Sequence, residues 1–422
     1  MGIKFRLILL NFLQFFVWGS WLLTIGAYWF QNKHWSGTEF GAIFSTMGIA
    51  SLFMPAIAGI IADRWINAER LYGIFQIMGG IILFFVPKIT TPSGMFWIML
   101  LNMMCYMPTI ALAITVSYAA MKRRGLDIVK EYPPVRVWGT VGFIAALWII
   151  SLTGLETSSG QFYVASAASI FLGVFAFTMP KCPPLAQKKN LTMIQSLGLD
   201  AFVLFKNARI AMFFIFAMLL GASLQLTNAY GDTFLQDFAK IPAFKDLLAV
   251  RFPAIIMSIS QISETLFILT IPFFLKKFGI KKVMLMSMVA WILRFGLFGL
   301  GNPGGGLWMI ILSCIIYGMA FDFFNISGSL YVETVSKPEM RGRAQGLFMM
   351  MTNGFGAFLG SRISGWVIDR FFKISNDPAA IQFDWHGIWF TFAAYSLVVA
   401  VLFAVFFKYK HDPKALELAK HV

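Results

Sequence analysis

Residues 307–332 read LWMIILSCIIYGMAFDFFNISGSLYV, 26 residues that carry a single charged side chain, Asp322. A bilayer core about 30 Å thick is crossed by about 20 apolar residues, each rising about 1.5 Å along a helix, so this run is long enough to span it. The carboxylate inside it costs a few kcal/mol to bury in hydrocarbon, which makes it a functional candidate from the outset.

Working outward, runs of the same kind cover Phe5–Phe30, Thr38–Ala62, Leu71–Val86, Met95–Ala120, Val135–Leu155 and Phe162–Met179. A polar stretch from Lys181 to Arg209 follows. The second set covers Ile210–Leu235, Pro253–Leu275, Val283–Leu300, Leu307–Val332, Ala344–Phe371 and Trp385–Phe407. With 59% hydrophobic and 13% charged residues in 422, against roughly 25% charged in soluble domains, the main solvent of this chain is lipid. Met1–Arg6 and the run behind it resemble a signal peptide, but the run is too long and no small-residue cleavage site follows, so it is expected to stay as the first helix.

The formal charge of +15 does not point to nucleic acid, because the basic residues lie between apolar runs rather than along one stripe. With the N-terminus placed in the cytoplasm, 24 of the 34 Lys and Arg fall on the cytoplasmic side and 7 on the other. Arg136, Arg294 and Arg362 lie inside spans. This bias predicts a multi-pass protein of a bacterial inner membrane with both termini cytoplasmic. Cys105, Cys182 and Cys314 show no paired spacing, and His34, His386, His411 and His421 fall in loops, span ends or the tail. Neither a disulfide framework nor a metal site is expected. The absence of a phosphate-binding glycine loop argues against direct ATP drive, and no cofactor is expected.

The two sets of six echo each other. Gly59-x3-Asp63-Arg64 follows the second run, and Lys276–Lys282 holds four lysines after the eighth. Pro133-Pro134-Val135-Arg136 opens the fifth, and Pro338-Glu339-Met340-Arg341 opens the eleventh. Prolines near helix starts and basic loops are common for structural reasons, so the weight rests on their matching positions. Repeated halves are a habit of transporters. The fold class expected is an all-α polytopic membrane protein of the major facilitator type, with twelve transmembrane helices in two six-helix bundles. Its parts are residues 1–180, a central cytoplasmic loop at 181–209, residues 210–408 and a cytoplasmic tail at 409–422.

Besides Asp322, a second acid, Glu264, lies within a span; for both, a structural salt bridge to Arg294, Arg362 or Arg136 is the competing reading. Gln261 and Glu264 are three residues apart and share a helical face, as do Gln225 and Asn228. Such amides either present donors and acceptors to a ligand or join helices by hydrogen bonds. Arg136, Thr140 and Phe143 recur at helical spacing, and so do Tyr317 and Phe321. Aromatic faces suit a planar ring, and hydroxyl and amide groups suit a sugar or a base edge. Gly354, Gly356, Gly360 and Gly365 read as a close-packing face.

Six stretches, FLQFFVWGSWL, DIVKEYPPVRVWGTVGF, LGLDAFVLFKN, IIMSISQISETLFILTIPFF, YGMAFDFFNISGSLYVE and AQGLFMMMTNGFG, carry a resemblance over nearly the whole chain to the bacterial nucleoside:proton symporters of the major facilitator superfamily. That resemblance implies proton-coupled uptake of purine and pyrimidine nucleosides by alternating access, in a protein that is no enzyme. It implies a nucleoside pocket matched here by Arg136, Thr140, Phe143, Gln225, Asn228, Gln261, Glu264, Tyr317 and Phe321. It also implies proton coupling at Asp322, with Glu264 sharing or taking that role. Its partners would be a nucleoside, a proton and membrane lipid, in a monomer. A xanthosine-preferring permease, or a major facilitator carrier of another small polar solute such as a sugar, remains the alternative.

Overall fold

In lipid every backbone N–H and C=O must find its partner within the chain, and a helix does this residue by residue. The computed structural model describes residues 2–184, 198–337, 340–375, 377 and 380–409. Contacts divide the chain into two units, Met1–Leu197 and Gly198–Val422.

In the first unit, α1 is Ile3–Gly19, continued by Ile25–Ala27 and a wider turn at Tyr28–Lys33. The others are α2 (Gly37–Arg64), α3 (Ala68–Phe85), α4 (Pro92–Arg123), α5 (Ile128–Leu152) and α6 (Gly160–Ala176). Ser36 starts α2 with a reciprocal cap: its hydroxyl accepts from the Glu39 N–H at 3.2 Å, and the Glu39 carboxylate accepts from the Ser36 N–H at 3.1 Å. The Thr91 hydroxyl caps α4 by accepting from the Gly94 N–H.

The second unit holds α7 (Ala208–Asp237) and α8, made of Pro253–Ile268 and residues 271–278. At Gly279, with φ at 76°, the chain turns into α9, residues 280–300; only glycine takes that backbone freely. Then come α10 (Leu307–Val335), α11 (Arg341–Met349, a wide turn at Met350–Gly356, Ala357–Val367 and Ile368–Phe372) and α12 (Trp385–Phe406). Twelve helical spans are thus found among the described residues, within a few residues of the sequence-predicted ones.

Packing repeats as the sequence does. Within the first unit α1 lies on α5, α2 on α4 and α3 on α6; within the second, α7 lies on α11, α8 on α10 and α9 on α12. Small residues make the first pair in each unit possible. A Cβ on Gly142 would run into the Phe12 carbonyl, and one on Gly221 into the Thr352 carbonyl. Gly356 and Gly360 sit against Met218 and Ala222 of α7, the close-packing role expected of the α11 glycines.

Two local expectations need correction. The first span is not one continuous helix, since regular helix stops at Gly19. The fifth does not open at Pro133: α5 begins at Ile128, where Asp127 accepts from the backbone N–H groups of Lys130 and Glu131. Nucleation upstream leaves both prolines inside the helix, each removing one backbone donor. The eleventh starts at Arg341; Pro338 and Glu339 of the matching motif lie outside the described residues. Of the expected central loop, 185–197 lies outside them as well, and of the tail only Tyr409 is described. Residues 199–206 form a short helix, tied to α11 by an ion pair between Arg343 and Asp200.

Beyond α6 the chain returns to the start of α3, where Glu69 accepts from the Cys182 N–H at 2.7 Å. Burial raises the Cys182 thiol pKa, as do the Glu69 and Asp63 carboxylates, against the opposing pull of Arg123. Because the thiolate is the nucleophile, alkylation of Cys182 by a maleimide at pH 7 should be slower than that of a free cysteine and rise about ten-fold per pH unit. Labelling that is fast and flat from pH 6 to 8 would contradict this. For the helix packing, Gly142→Leu should destabilise the protein by about 1–3 kcal/mol or more through overpacking. Gly296→Ala, where a Cβ meets nothing, should be neutral or slightly stabilising. Thermal unfolding in detergent reads both.

Candidate substrate and proton site

In the first unit, α5 carries Arg136, Thr140 and Phe143 on one face, the first two half-buried and Phe143 buried. The Arg136 guanidinium lies 4.1 Å from the centre of the Phe15 ring on α1, a distance at which a cation is held by the ring face. Arg136 also interacts electrostatically with Tyr106 and Tyr132.

Behind this face lies a network that the sequence reading missed. Gln14 on α1 donates to the Thr109 hydroxyl at 2.9 Å, and its oxygen accepts from the Tyr72 hydroxyl at 2.6 Å and from Gln76 at 2.8 Å. Gln76 accepts from Ser169 at 2.7 Å, and the Tyr106 hydroxyl donates to the Gln14 carbonyl at 2.7 Å. All six side chains are buried. The signal is in the sequence, since each of these polar residues interrupts an apolar run.

In the second unit, α7 carries Gln225 and Asn228, α8 carries Gln261 and Glu264, and α10 carries Tyr317, Phe321 and Asp322. Gln225, Gln261, Tyr317 and Asp322 are buried; Asn228, Glu264 and Phe321 are half-buried. The Tyr317 and Phe321 rings are parallel to within 2°, with centres 5.8 Å apart. Electrostatic interaction links Asp322 to Glu264, and Tyr317 to both acids and to Arg294. Of these seven side chains, three carry a buried oxygen without a hydrogen-bond partner among the described residues: Oε1 of Gln225, Oε1 of Gln261 and Oδ2 of Asp322, as do others in this unit such as the Ser327 and Ser361 hydroxyls.

Arg294 is held by neutral acceptors: its guanidinium donates to the Ser313 carbonyl at 2.8 Å and the Ser260 hydroxyl at 3.4 Å. A small open hollow is lined by Phe321, Trp291, Phe324, Asn325, Thr352 and Asn353 among others. Another acid in a span, Asp232 on α7, is 1% exposed and accepts from Gln236 at 3.3 Å. The run Ile210–Leu235 contains it, so the rule that marks Asp322 marks it too.

Six helices in each of two repeating units, with acids and amides inside the spans, define a multi-pass membrane transporter of the major facilitator type. The model of one family, described as nucleoside H+ symporter, matches residues 1–412. The chain belongs to that family. It is 52% identical to the xanthosine permease of Escherichia coli over 418 residues, covering 99% of each protein. With the nucleoside permease NupG of Escherichia coli it shares 51% over 412 residues, 97% of each. A crystal structure of nucleoside transporter NupG with one aspartate replaced by alanine matches with a TM-score of 0.93 at 50% identity, over 96% of this chain and 100% of that one.

For the first-unit network, Gln76→Leu strands the partners of a buried amide and should cost about 1–3 kcal/mol of stability. A melting temperature in detergent equal to the parent's would show that the network carries no such load.

Proposed function

We propose that this chain takes up purine and pyrimidine nucleosides together with protons across a bacterial inner membrane, with Asp322 as the proton-coupling group. The observation that supports the site is the set of buried oxygens without a partner among the described residues on Gln225, Gln261 and Asp322, together with the parallel aromatic pair on α10. A buried polar atom left without a partner costs about 1–3 kcal/mol, so such atoms are suited to a ligand that arrives with donors of its own. Nucleosides bring hydroxyls, a base edge and a flat ring. In this reading the amides of Gln225, Asn228 and Gln261 and the Glu264 carboxylate hold the polar groups, and Tyr317, Phe321 and Phe143 pack on the ring. Arg136 and Thr140 add a cation and a hydroxyl. Glu264 shares electrostatically in the protonation of Asp322.

An ionised carboxylate at mid-depth costs about 2.5–3.5 kcal/mol on insertion scales. Protonation removes that charge, so the proton-bound carrier crosses between its alternating states at lower cost than the charged one. Moving one positive charge through 100 mV supplies about 2.3 kcal/mol, enough for a nucleoside gradient of roughly fifty-fold. The protein works as a monomer surrounded by lipid, with both termini cytoplasmic; the excess of Lys and Arg on one side supports that orientation.

Labelled uridine uptake into proteoliposomes, with and without an inward proton gradient, tests the function. Accumulation should follow the gradient and be competed by unlabelled adenosine, uridine and xanthosine. Asp322→Asn should keep uridine binding and exchange but lose gradient-driven accumulation. Undiminished accumulation by that variant sinks the coupling role of Asp322, and competition by sugars rather than nucleosides sinks the substrate reading.

A further inference from the structure

Arg294 on α9 is 1% exposed, and its charge cannot be lost by deprotonation. An arginine buried in a span is costly, so what it does there requires an explanation. Its contacts run to two other helices. The guanidinium edge donates to the Ser313 carbonyl on α10 and to the hydroxyl of Ser260 on α8, the residue before Gln261. Its Cζ lies over the Tyr317 ring, 4.5 Å from the centre, and 5.2 Å from the centre of the Phe298 ring. The Ser313 hydroxyl donates back to the Arg294 carbonyl at 2.8 Å, which fixes the register of α9 against α10.

Helix joining alone does not call for this residue. A serine or asparagine would supply a hydrogen bond at a far smaller desolvation cost. What a guanidinium adds is a rigid plane that stacks on a ring while its edge is held by acceptors, which an ammonium cannot reproduce. The ring it holds is a candidate substrate contact. Tyr317 meets the cation, stands edge to face with Trp291 at 88°, and runs parallel to Phe321.

We propose that Arg294 is a positioning residue for nucleoside binding: clamped by Ser313 and Ser260, it fixes the Tyr317 ring parallel to Phe321, so that the nucleobase meets an aromatic surface already in place. This rests on the reading above that Tyr317 and Phe321 touch the nucleoside. Preorganisation of this kind strengthens binding by removing the cost of ordering the ring when the ligand arrives.

The test is nucleoside affinity of the full-length, detergent-solubilised protein, measured by calorimetry with adenosine and uridine on the monodisperse fraction. Arg294→Lys keeps the charge and loses the plane; it should raise Kd about ten-fold, the scale of a desolvated cation–π contact, and more for adenosine, whose larger base covers more ring. The pH dependence of uptake should keep its shape. In a Tyr317→Leu background, Arg294→Lys should bring no further rise in Kd, because the residue acts through the ring. A Kd within two-fold of the parent, or a rise that simply adds in the double variant, overturns the positioning role. Should the Arg294 variants fail to fold, Ser260→Ala takes their place with an expected rise of about three-fold. Absence of that rise, or its persistence without Tyr317, overturns the proposal equally. If Tyr317→Leu and Phe321→Leu themselves leave Kd unchanged, the substrate reading of the aromatic pair fails instead.

Discussion

The structure depends on one constraint: in hydrocarbon, no polar group can turn to water for a partner. For the backbone this enforces helices, and it explains why every long apolar run became one. For side chains it sorts polar residues into those whose partners are built in and those left for something else. Most features described here fall on one side of that division.

The first unit shows the built-in case. Gln14, Tyr72, Gln76, Thr109 and Ser169 close on one another across α1, α3, α4 and α6, each donor meeting an acceptor at 2.6–2.9 Å. A satisfied network of this kind stiffens the bundle and specifies its packing, because any displacement exposes several groups together. The second unit shows the other case. Gln225, Gln261 and Asp322 each keep a buried oxygen without a partner among the described residues, and they stand at positions that the sequence marks for their chemistry.

A charge or a pair of amides within an apolar run is a large departure from a simple pattern. Asp322 in the run 307–332 and Gln261 with Glu264 in α8 needed only counting by threes and fours. The fold was legible for the same reason, since length and hydropathy decide a span almost unaided. What was not legible depends on neighbours brought together by packing. Gln14 and Thr109 are 95 positions apart, and no periodicity within either helix links them. The break in α1 after Gly19 and the upstream start of α5 turn on local caps and close approaches, such as Gly19 against the Phe143 carbonyl, which apolar runs do not record. Asp232 obeys the same rule as Asp322.

Arg294 shows how the two kinds of polar group are connected. Two of its guanidinium nitrogens are held by hydrogen bonds while Nε has no partner among the described residues, and the ring its cation lies over belongs with those awaiting a ligand. Part of the energy needed to bury that guanidinium is met by contacts to α8 and α10. A flexible tyrosine in its place would have to be ordered anew by each arriving molecule, and that ordering would weaken every binding event. Holding the aromatic surface with a buried cation shifts the cost from binding to folding, where it is borne once for each protein rather than once for each transport cycle.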